Sequence, residues 1–164
     1  NHAFMVLWHT AACNILGSMK LTADQEARLD PGFRAIAASG ARLGANDYVE
    51  ARLTSGRLRA VMVVFHQNYD ALMLPTMPMP AFAAGLDVPE GSGMTDWSEW
   101  SPFTYPFNMT SQPAISLPCG FDRDGLPVGL QLVAANYRDD LVLRLAAGYQ
   151  AAFPETFPAD VGAL

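Results

Sequence analysis

Apolar side chains in the first forty positions recur at helical spacing, which predicts two early helices. The opening helix is expected over residues 3–16, because its apolar residues lie three and four positions apart. A polar turn is expected over residues 21–26, and Asp30-Pro31-Gly32 then begins a short helix that reaches Ala38. The residues that we expect to be buried in the opening helix are Phe4, Leu7, Trp8, Ala11, Ala12 and Ile15.

A third and longer helix is predicted from about Asp47 to Asn68. Asn46 or Asp47 has the short polar side chain that is preferred at an N-cap. The pattern within this segment is amphipathic and gives one apolar stripe, which we expect to be buried. The stripe consists of Val49, Leu53, Leu58, Val61, Val64 and Phe65.

Three strands are predicted in the second half of the chain. Residues 71–74 form a continuous apolar run, which is typical of a strand buried on both faces. Residues 114–117 predict a second short strand that is buried, and residues 128–133 alternate as a strand does. Between the last two, the sequence of residues 122–125 (DRDG) predicts a hairpin turn in which the glycine supplies a positive φ.

A closing helix follows the strands and completes an α/β pattern. It is expected to begin at Asp139 or Asp140 and to end at Phe153-Pro154. Its predicted buried stripe consists of Leu141, Leu145, Tyr149 and Ala152. Helices and strands that share one chain in this order predict the α/β fold class.

The segment between residues 75 and 101 is predicted to be a long loop. Its prolines remove backbone donors and hold φ near −65°. A loop of this length within a compact domain is usually functional or disordered. Trp97 and Trp100 are costly to leave in water, so we expect the end of the loop to pack against the protein.

Composition excludes two classes of partner. The chain has 164 residues and a net charge of −6, and Lys20 is its only lysine. A nucleic-acid binder or a polybasic membrane surface needs clustered cations, so neither partner is expected. The apolar opening is shorter than the roughly 18 residues of a membrane span. Only 16% of residues are charged, which indicates either a dense core or a fragment of a larger protein whose partner surface is missing.

No catalytic, cofactor or metal-binding residue stands out. We interpret Lys20 as a solvated lysine at a helix end. Cys13 and Cys119 are expected to be free, buried thiols in a reducing cytoplasm, with a single bridge left open. The three histidines show no metal spacing with acidic or thiol partners. We therefore predict no cofactor and no metal.

The order of elements from Tyr48 to Tyr149 resembles the C-terminal part of the amidase signature family. An arginine-bearing helix is followed by YDALMLPTMPMPAF, the long loop, FTYPFNMTSQPAISLPCGF, GLPVGLQLV and a closing helix. The resemblance covers roughly two thirds of the chain and includes the A subunit of the tRNA amidotransferases. It implies a mixed β-sheet covered by helices. It also implies that residues 1–164 are the C-terminal portion of a single amidase domain.

The resemblance also implies where substrate binds. In the family, the segment that matches residues 103–108 lies near the substrate pocket, so Phe103, Thr104 and Phe107 are candidate pocket walls. The alternative is that both phenylalanines simply pack in the core. Amidotransferase A subunits carry an acidic residue three positions before the matching threonine, where this chain has Ser101. A serine cannot supply the negative charge that holds the amino group of the substrate, which argues against free glutamine and favours a neutral amide.

Family members hydrolyse a carboxamide through an acyl-enzyme made by a Ser–cis-Ser–Lys triad, which lies upstream of the matched segment. No such triad is found in this chain, so the N-terminal catalytic part is expected to be absent and the chain alone to be inactive. Its expected partners are a small amide and either that N-terminal part or an oligomer partner. A stand-alone, non-catalytic binding domain and a proteolytic remnant remain alternatives. Large exposed apolar faces would favour the remnant or a tight oligomer.

Overall fold

A computed structural model describes residues 1–154, and the chain divides between Leu58 and Arg59 into two compact units. We call them unit 1 and unit 2. Together they contain six α-helices, one 3-10 helix and three strands among the described residues. In chain order these are α1 His2–Ser18, α2 Ala23–Ala27, α3 Pro31–Gly40, α4 Ala45–Phe65, β1 Ala71–Pro75, the 3-10 helix η1 Trp97–Trp100, α5 Tyr105–Thr110, β2 Ala114–Phe121, β3 Pro127–Ala134 and α6 Asp139–Ala152.

In unit 1, helix α1 packs on α3 with very little space between them. A Cβ atom built on Gly40 would overlap the backbone carbonyl of His9 and would lie 2.9 Å from the Cβ of Cys13. Gly40 therefore lets the two helices approach to a distance that no other residue would allow. Phe4, Val6 and Ala12 are the buried residues of α1, whereas Trp8 and Ile15, which we expected to be buried, are exposed.

Capping side chains fix where the next helices of unit 1 begin. Thr22 and Gln25 form a reciprocal capping box, so the segment predicted to be a turn is the short helix α2. Helix α3 begins at Pro31, within the predicted opening segment, and Asp30 caps it, because its Oδ1 accepts from the backbone N–H of Phe33 at 2.8 Å. Asp47 is not an N-cap: its Oδ2 accepts from the backbone N–H of Gly44 at 2.8 Å, and α4 begins at Ala45.

The predicted burial of the α4 stripe is wrong for most of its members. Val61 is 63% exposed, and Val49, Leu53 and Val64 are also exposed. The buried residues of α4 are instead Ala51 and Ser55. The described chain therefore leaves most of the predicted stripe uncovered.

Unit 2 is built on a three-stranded antiparallel sheet with the order β1-β3-β2. Strand β3 is central, and in its middle Leu132 faces Met73 of β1 on one side and Ile115 of β2 on the other. The turn between β2 and β3 is the predicted hairpin turn, with Gly125 at a φ of 79°. The α/β prediction and all three strand positions are confirmed.

Helix α6 covers the sheet by contacts with β2 and β3. Its buried residues are Val142 and Ala146, each one position after a predicted leucine, and Ala146 joins the core that contains Leu117 and Leu132. Of the predicted stripe, Leu145 and Ala152 are exposed and Leu141 is half-buried, whereas Tyr149 packs against this core.

Three further burial predictions are wrong. Among residues 114–117, which we expected to form a buried strand, only Leu117 is buried. Strand β1 is not buried on both faces, because Met73 is 62% exposed. Cys13 is half-buried and Cys119 is exposed, although both are free thiols as expected. Within residues 1–154, no helix combines the length and apolar character that a bilayer crossing requires.

Replacing Gly40 by alanine should destabilise the α1–α3 contact, because the added methyl group would overlap the His9 carbonyl. We expect a loss of about 3 kcal/mol in the free energy of unfolding, measured by urea denaturation followed by circular dichroism. The matched control is Gly56→Ala in α4, where a Cβ would meet nothing within 4 Å. This control should gain about 0.5–1 kcal/mol from helix propensity. Equal effects of the two changes would contradict the close approach.

Candidate functional site

The predicted site residues Ser101 and Thr104 lie in the short connection between η1 and α5. Ser101 is only 6% exposed, and its hydroxyl donates to the carbonyl of Ser98 at 3.5 Å. Thr104 is the N-cap residue of α5, and its hydroxyl donates to the carbonyl of Ser101 at 3.2 Å. Both hydroxyls thus donate to the backbone three residues earlier, and each oxygen keeps acceptor capacity.

The two predicted phenylalanines are held close to the sheet. Phe107 is only 7% exposed, and Phe103 is half-buried. The carbonyl of Phe103 accepts from Nε2 of Gln131 at 2.8 Å, which ties this segment to the central strand β3. Burial of Phe107 favours the alternative in which it packs in the core, while Phe103 keeps accessible surface. The role of all four predicted residues in substrate binding stays a prediction.

An open cleft of about 630 Å³ lies elsewhere in unit 2. We call it the Thr76 cleft. Its lining residues are Pro75, Thr76, Met77, Pro78, Met79, Pro80, Ala81, Phe82, Trp100, Ser116, Pro127, Val128 and Gly129. None of these side chains carries a charge, and none of the four predicted site residues is among them. Sequence reasoning missed this cleft, although the run of prolines after β1 was a visible signal.

A hydroxyl pair and a glycine meet where the Thr76 cleft joins the sheet. The Oγ1 of Thr76 and the Oγ of Ser116 are 2.7 Å apart, and the backbone N–H of Thr76 donates to the carbonyl of Gly129 at 2.8 Å. A Cβ on Gly129 would lie 2.8 Å from the Thr76 hydroxyl and 3.0 Å from the Ser116 hydroxyl. Gly129 therefore leaves the space that the hydroxyl pair occupies.

Trp100 forms part of the cleft wall and is held from two sides. Its ring meets Phe82 edge-on with centroids 5.4 Å apart, and its indole N–H donates to the carbonyl of Asp87 at 2.8 Å. A buried indole N–H usually finds such a partner. The expectation that the end of the long loop packs against the protein is thus confirmed for Trp100.

The carboxylate of Glu99 organises the loop just before Trp100. It accepts from the backbone N–H of Thr95 at 2.9 Å, from the Thr95 hydroxyl at 3.1 Å and from the backbone N–H of Asp96 at 3.1 Å. These bonds favour the charged form. The backbone N–H of Thr95 and then its hydroxyl contribute most to holding the pKa of Glu99 below its ordinary value of 4.5. Glu99 is thus an ionised structural group.

A buried polar network lies beside the sheet, where Gln112 makes three hydrogen bonds. Its Oε1 accepts from the Thr110 hydroxyl at 2.7 Å, and its Nε2 donates to the carbonyl of Ala134 at 3.0 Å. The same Nε2 lies 2.9 Å from Nε2 of His66. Since the amide nitrogen can only donate, the His66 Nε2 accepts. The other ring nitrogen, Nδ1, then carries the proton and donates to the Tyr69 carbonyl at 3.0 Å.

Unit 1 contains a second, smaller cavity of about 380 Å³. Lys20, Glu26 and Arg34 are among its lining residues. Lys20 is exposed just after the end of α1, as expected of a solvated lysine. Among residues 1–154, no group of three or more histidine, cysteine, aspartate or glutamate side chains is arranged to hold a metal ion.

Comparison with known proteins decides the family. The Amidase family model matches residues 7–143, which is most of the chain. The chain belongs to the amidase family. The resemblance to amidase signature enzymes is thereby confirmed, and so is the α/β fold of these enzymes for this chain.

Three similar proteins illustrate the relationship. An acylamidase of Rhodococcus erythropolis is 36% identical over 84% of this chain and 30% of its own length. The A subunit of the glutamyl-tRNA(Gln) amidotransferase of a Cyanothece strain is 37% identical over 65% of this chain and 22% of its own length. A crystal structure of an amidase superposes with a TM-score of 0.77 and 30% identity, covering 92% of this chain and 34% of that one. This amidase chain thus spans about a third or less of these relatives.

Replacing Gln112 by alanine should remove three hydrogen bonds at once, so that the Ala134 carbonyl and the His66 Nε2 lose the amide that donates to them. The Thr110 hydroxyl would keep its bond to the Phe107 carbonyl. We expect the free energy of unfolding to fall by about 2–3 kcal/mol in urea denaturation. Gln67→Ala, at an exposed position, should change it by less than about 0.5 kcal/mol. A second readout is nitrogen-15 NMR of the imidazole, in which His66 should show the Nδ1-protonated neutral tautomer. The opposite tautomer would contradict the network.

Acid should loosen the loop that Glu99 organises. Because the folded pKa of Glu99 is below 4.5, its contribution to stability is present above that pH and is lost as the pH falls through the folded pKa. We expect the indole N–H resonance of Trp100 to stay constant down to about pH 4.5 and to move below it. Glu99→Gln should abolish this transition, while Glu90→Gln, which changes another carboxylate of the same loop, should keep it. A transition that survives in Glu99→Gln would rule out this role.

Proposed function

We propose that this chain is the C-terminal part of a serine amidase that hydrolyses a carboxamide to a carboxylate and ammonia or an amine. In this proposal the chain completes the β-sheet and lines the substrate pocket. A segment outside these 164 residues supplies the paired serines and the lysine. The observation that carries the proposal is the family match over residues 7–143, in a chain that spans only 30% of the acylamidase.

Exposed apolar surface in unit 2 supports the need for a partner. Val61, Met73 and Leu143 are each more than 60% exposed. Strands β1 and β2 are the outer strands of the three-stranded sheet, so each has an edge without a strand among the described residues. Open edges and exposed apolar side chains are features that proteins normally cover. The N-terminal part of the same amidase or an oligomer partner would cover them.

Chemistry of the chain favours an uncharged substrate. Ser101 stands where an acidic residue would bind the amino group of glutamine, and its hydroxyl already donates to Ser98. Phe103 and Thr104 lie next to it, with Phe107 behind them in the interior. We therefore propose a neutral amide, with Ser101, Phe103 and Thr104 at the pocket and Phe107 supporting them. As part of the same proposal the enzyme is cytoplasmic, in keeping with its two free thiols.

The test compares the 164-residue chain with the protein encoded by the whole reading frame that contains it. We expect the whole protein to release ammonia from an uncharged aliphatic amide. Release of ammonia from glutamine should be much slower, because Ser101 offers no carboxylate to bind the amino group of glutamine. The chain alone should release none from either. Hydrolysis by the chain alone, at a rate proportional to its concentration, would overturn the proposal.

The whole-protein experiment also separates the second candidate function, a stand-alone binding domain of amidase descent. If the reading frame codes for no segment with the paired serines, and no amide is hydrolysed, the binding domain is favoured. If glutamine is the faster substrate, the amidase proposal survives but the assignment of Ser101 fails.

A further inference from the structure

We propose that the Thr76 cleft is a binding site for an uncharged amide, with the apolar part of the ligand against the proline and methionine wall and its carbonyl at the Thr76–Ser116 hydroxyl pair. This inference rests on the proposed function for the choice of an amide. The site itself follows from the structure of unit 2 and is distinct from the segment of residues 101–107.

The walls of the cleft select against charge. None of the lining side chains is ionisable at neutral pH, and Pro75, Pro78 and Pro80 contribute no backbone N–H. A charged ligand would lose its hydration there without gaining a partner. Methionines such as Met77 and Met79 are flexible and polarisable, so they adapt to aliphatic and aromatic groups of different shape.

The hydroxyl pair supplies one directional contact. Two hydroxyl groups 2.7 Å apart share one hydrogen, so the Thr76–Ser116 pair retains a second hydrogen and several acceptor lone pairs. A carbonyl oxygen can accept that second hydrogen, and an amide N–H can donate to the oxygens. A few fixed polar groups in an otherwise apolar pocket are the usual basis of ligand orientation.

The pair is fixed in place by the backbone around it. Thr76 is anchored by its N–H to the carbonyl of Gly129, and Ser116 lies on strand β2 beside the same central strand. Trp100, another lining residue, is held by its ring contact with Phe82 and by its hydrogen bond to the Asp87 carbonyl. The volume of about 630 Å³ lies within the range of small-molecule sites, which is roughly 300–1,000 Å³.

The experiment titrates the 164-residue chain with acetanilide and, separately, with 4-acetamidobenzoate, which adds one carboxylate to the same amide. Binding is followed by NMR of the methionine methyl groups and the indole N–H groups. We expect saturable shifts at Met77, Met79 and Trp100 with acetanilide. Binding of 4-acetamidobenzoate should be at least about tenfold weaker, since its carboxylate finds no partner.

Variants test the hydroxyl pair directly. Thr76→Val keeps the shape of the side chain and removes its hydroxyl, so acetanilide binding should weaken by about tenfold, the loss of one hydrogen bond. Gly129→Ala should weaken it as well, because the new methyl group displaces the Thr76 hydroxyl. Thr54→Val, at an exposed position of α4 in unit 1, makes the same chemical change elsewhere and should leave binding unaltered.

Three results would overturn the site: no saturable shift with acetanilide, shifts confined to residues outside the cleft, or equal binding of the two probes. If both Thr76→Val and Gly129→Ala bound acetanilide with wild-type affinity, the hydroxyl pair would have no role in binding. Because the readout is binding and not turnover, the inference can fail independently of the proposed function. Suppose that acetanilide binds in the cleft of the whole protein but that the whole protein hydrolyses no amide. The amidase proposal would then be wrong, whereas the proposed binding site would be supported.

Discussion

The burial of strand β3 between its two neighbours is the constraint on which the rest of unit 2 depends. Val133 and Ala134 are completely removed from solvent, and Gln131 and Leu132 are nearly so. Both edges of the strand are paired, and α6 covers it through the core around Leu132. Residues 131–134 are buried on both faces of the strand, which leaves no water for their polar groups, so each must find a protein partner.

That requirement explains how distant segments are brought to the strand. Gln131 cannot reach water and donates to the Phe103 carbonyl, which fixes the connection between η1 and α5. The carbonyl of Ala134 is met by Gln112, which in turn orients His66. At the other end of β3, the Gly129 carbonyl receives the N–H of Thr76 and so sets one side of the cleft. Both candidate binding regions are therefore positioned by hydrogen bonds to one strand.

Local periodicity was sufficient to predict the strands and most helices, because spacing of apolar residues and turn glycines such as Gly125 act over a few positions. It failed where geometry acts over longer distances. In α6, Val142 and Ala146 are buried where Leu141 and Leu145 were predicted, because neighbouring apolar residues differ little in sequence and only packing against β2 and β3 decides between them. The Thr76 cleft was missed for a similar reason: Thr76 and Ser116 are 40 residues apart, and neither is distinctive alone.

The exposed stripe of α4 shows what periodicity cannot supply. Similar patterns predicted strands in which Leu117 and Leu132 are indeed buried, and they predicted the burial of Val61 and Val64, which are exposed. The difference is that strands β2 and β3 find each other within this chain, whereas nothing in the described residues covers those valines. An apolar pattern indicates which residues are favoured for burial, but it does not show which surface covers them. The relatives are about three times longer than this chain, and we expect their additional residues to provide the surface that covers these valines.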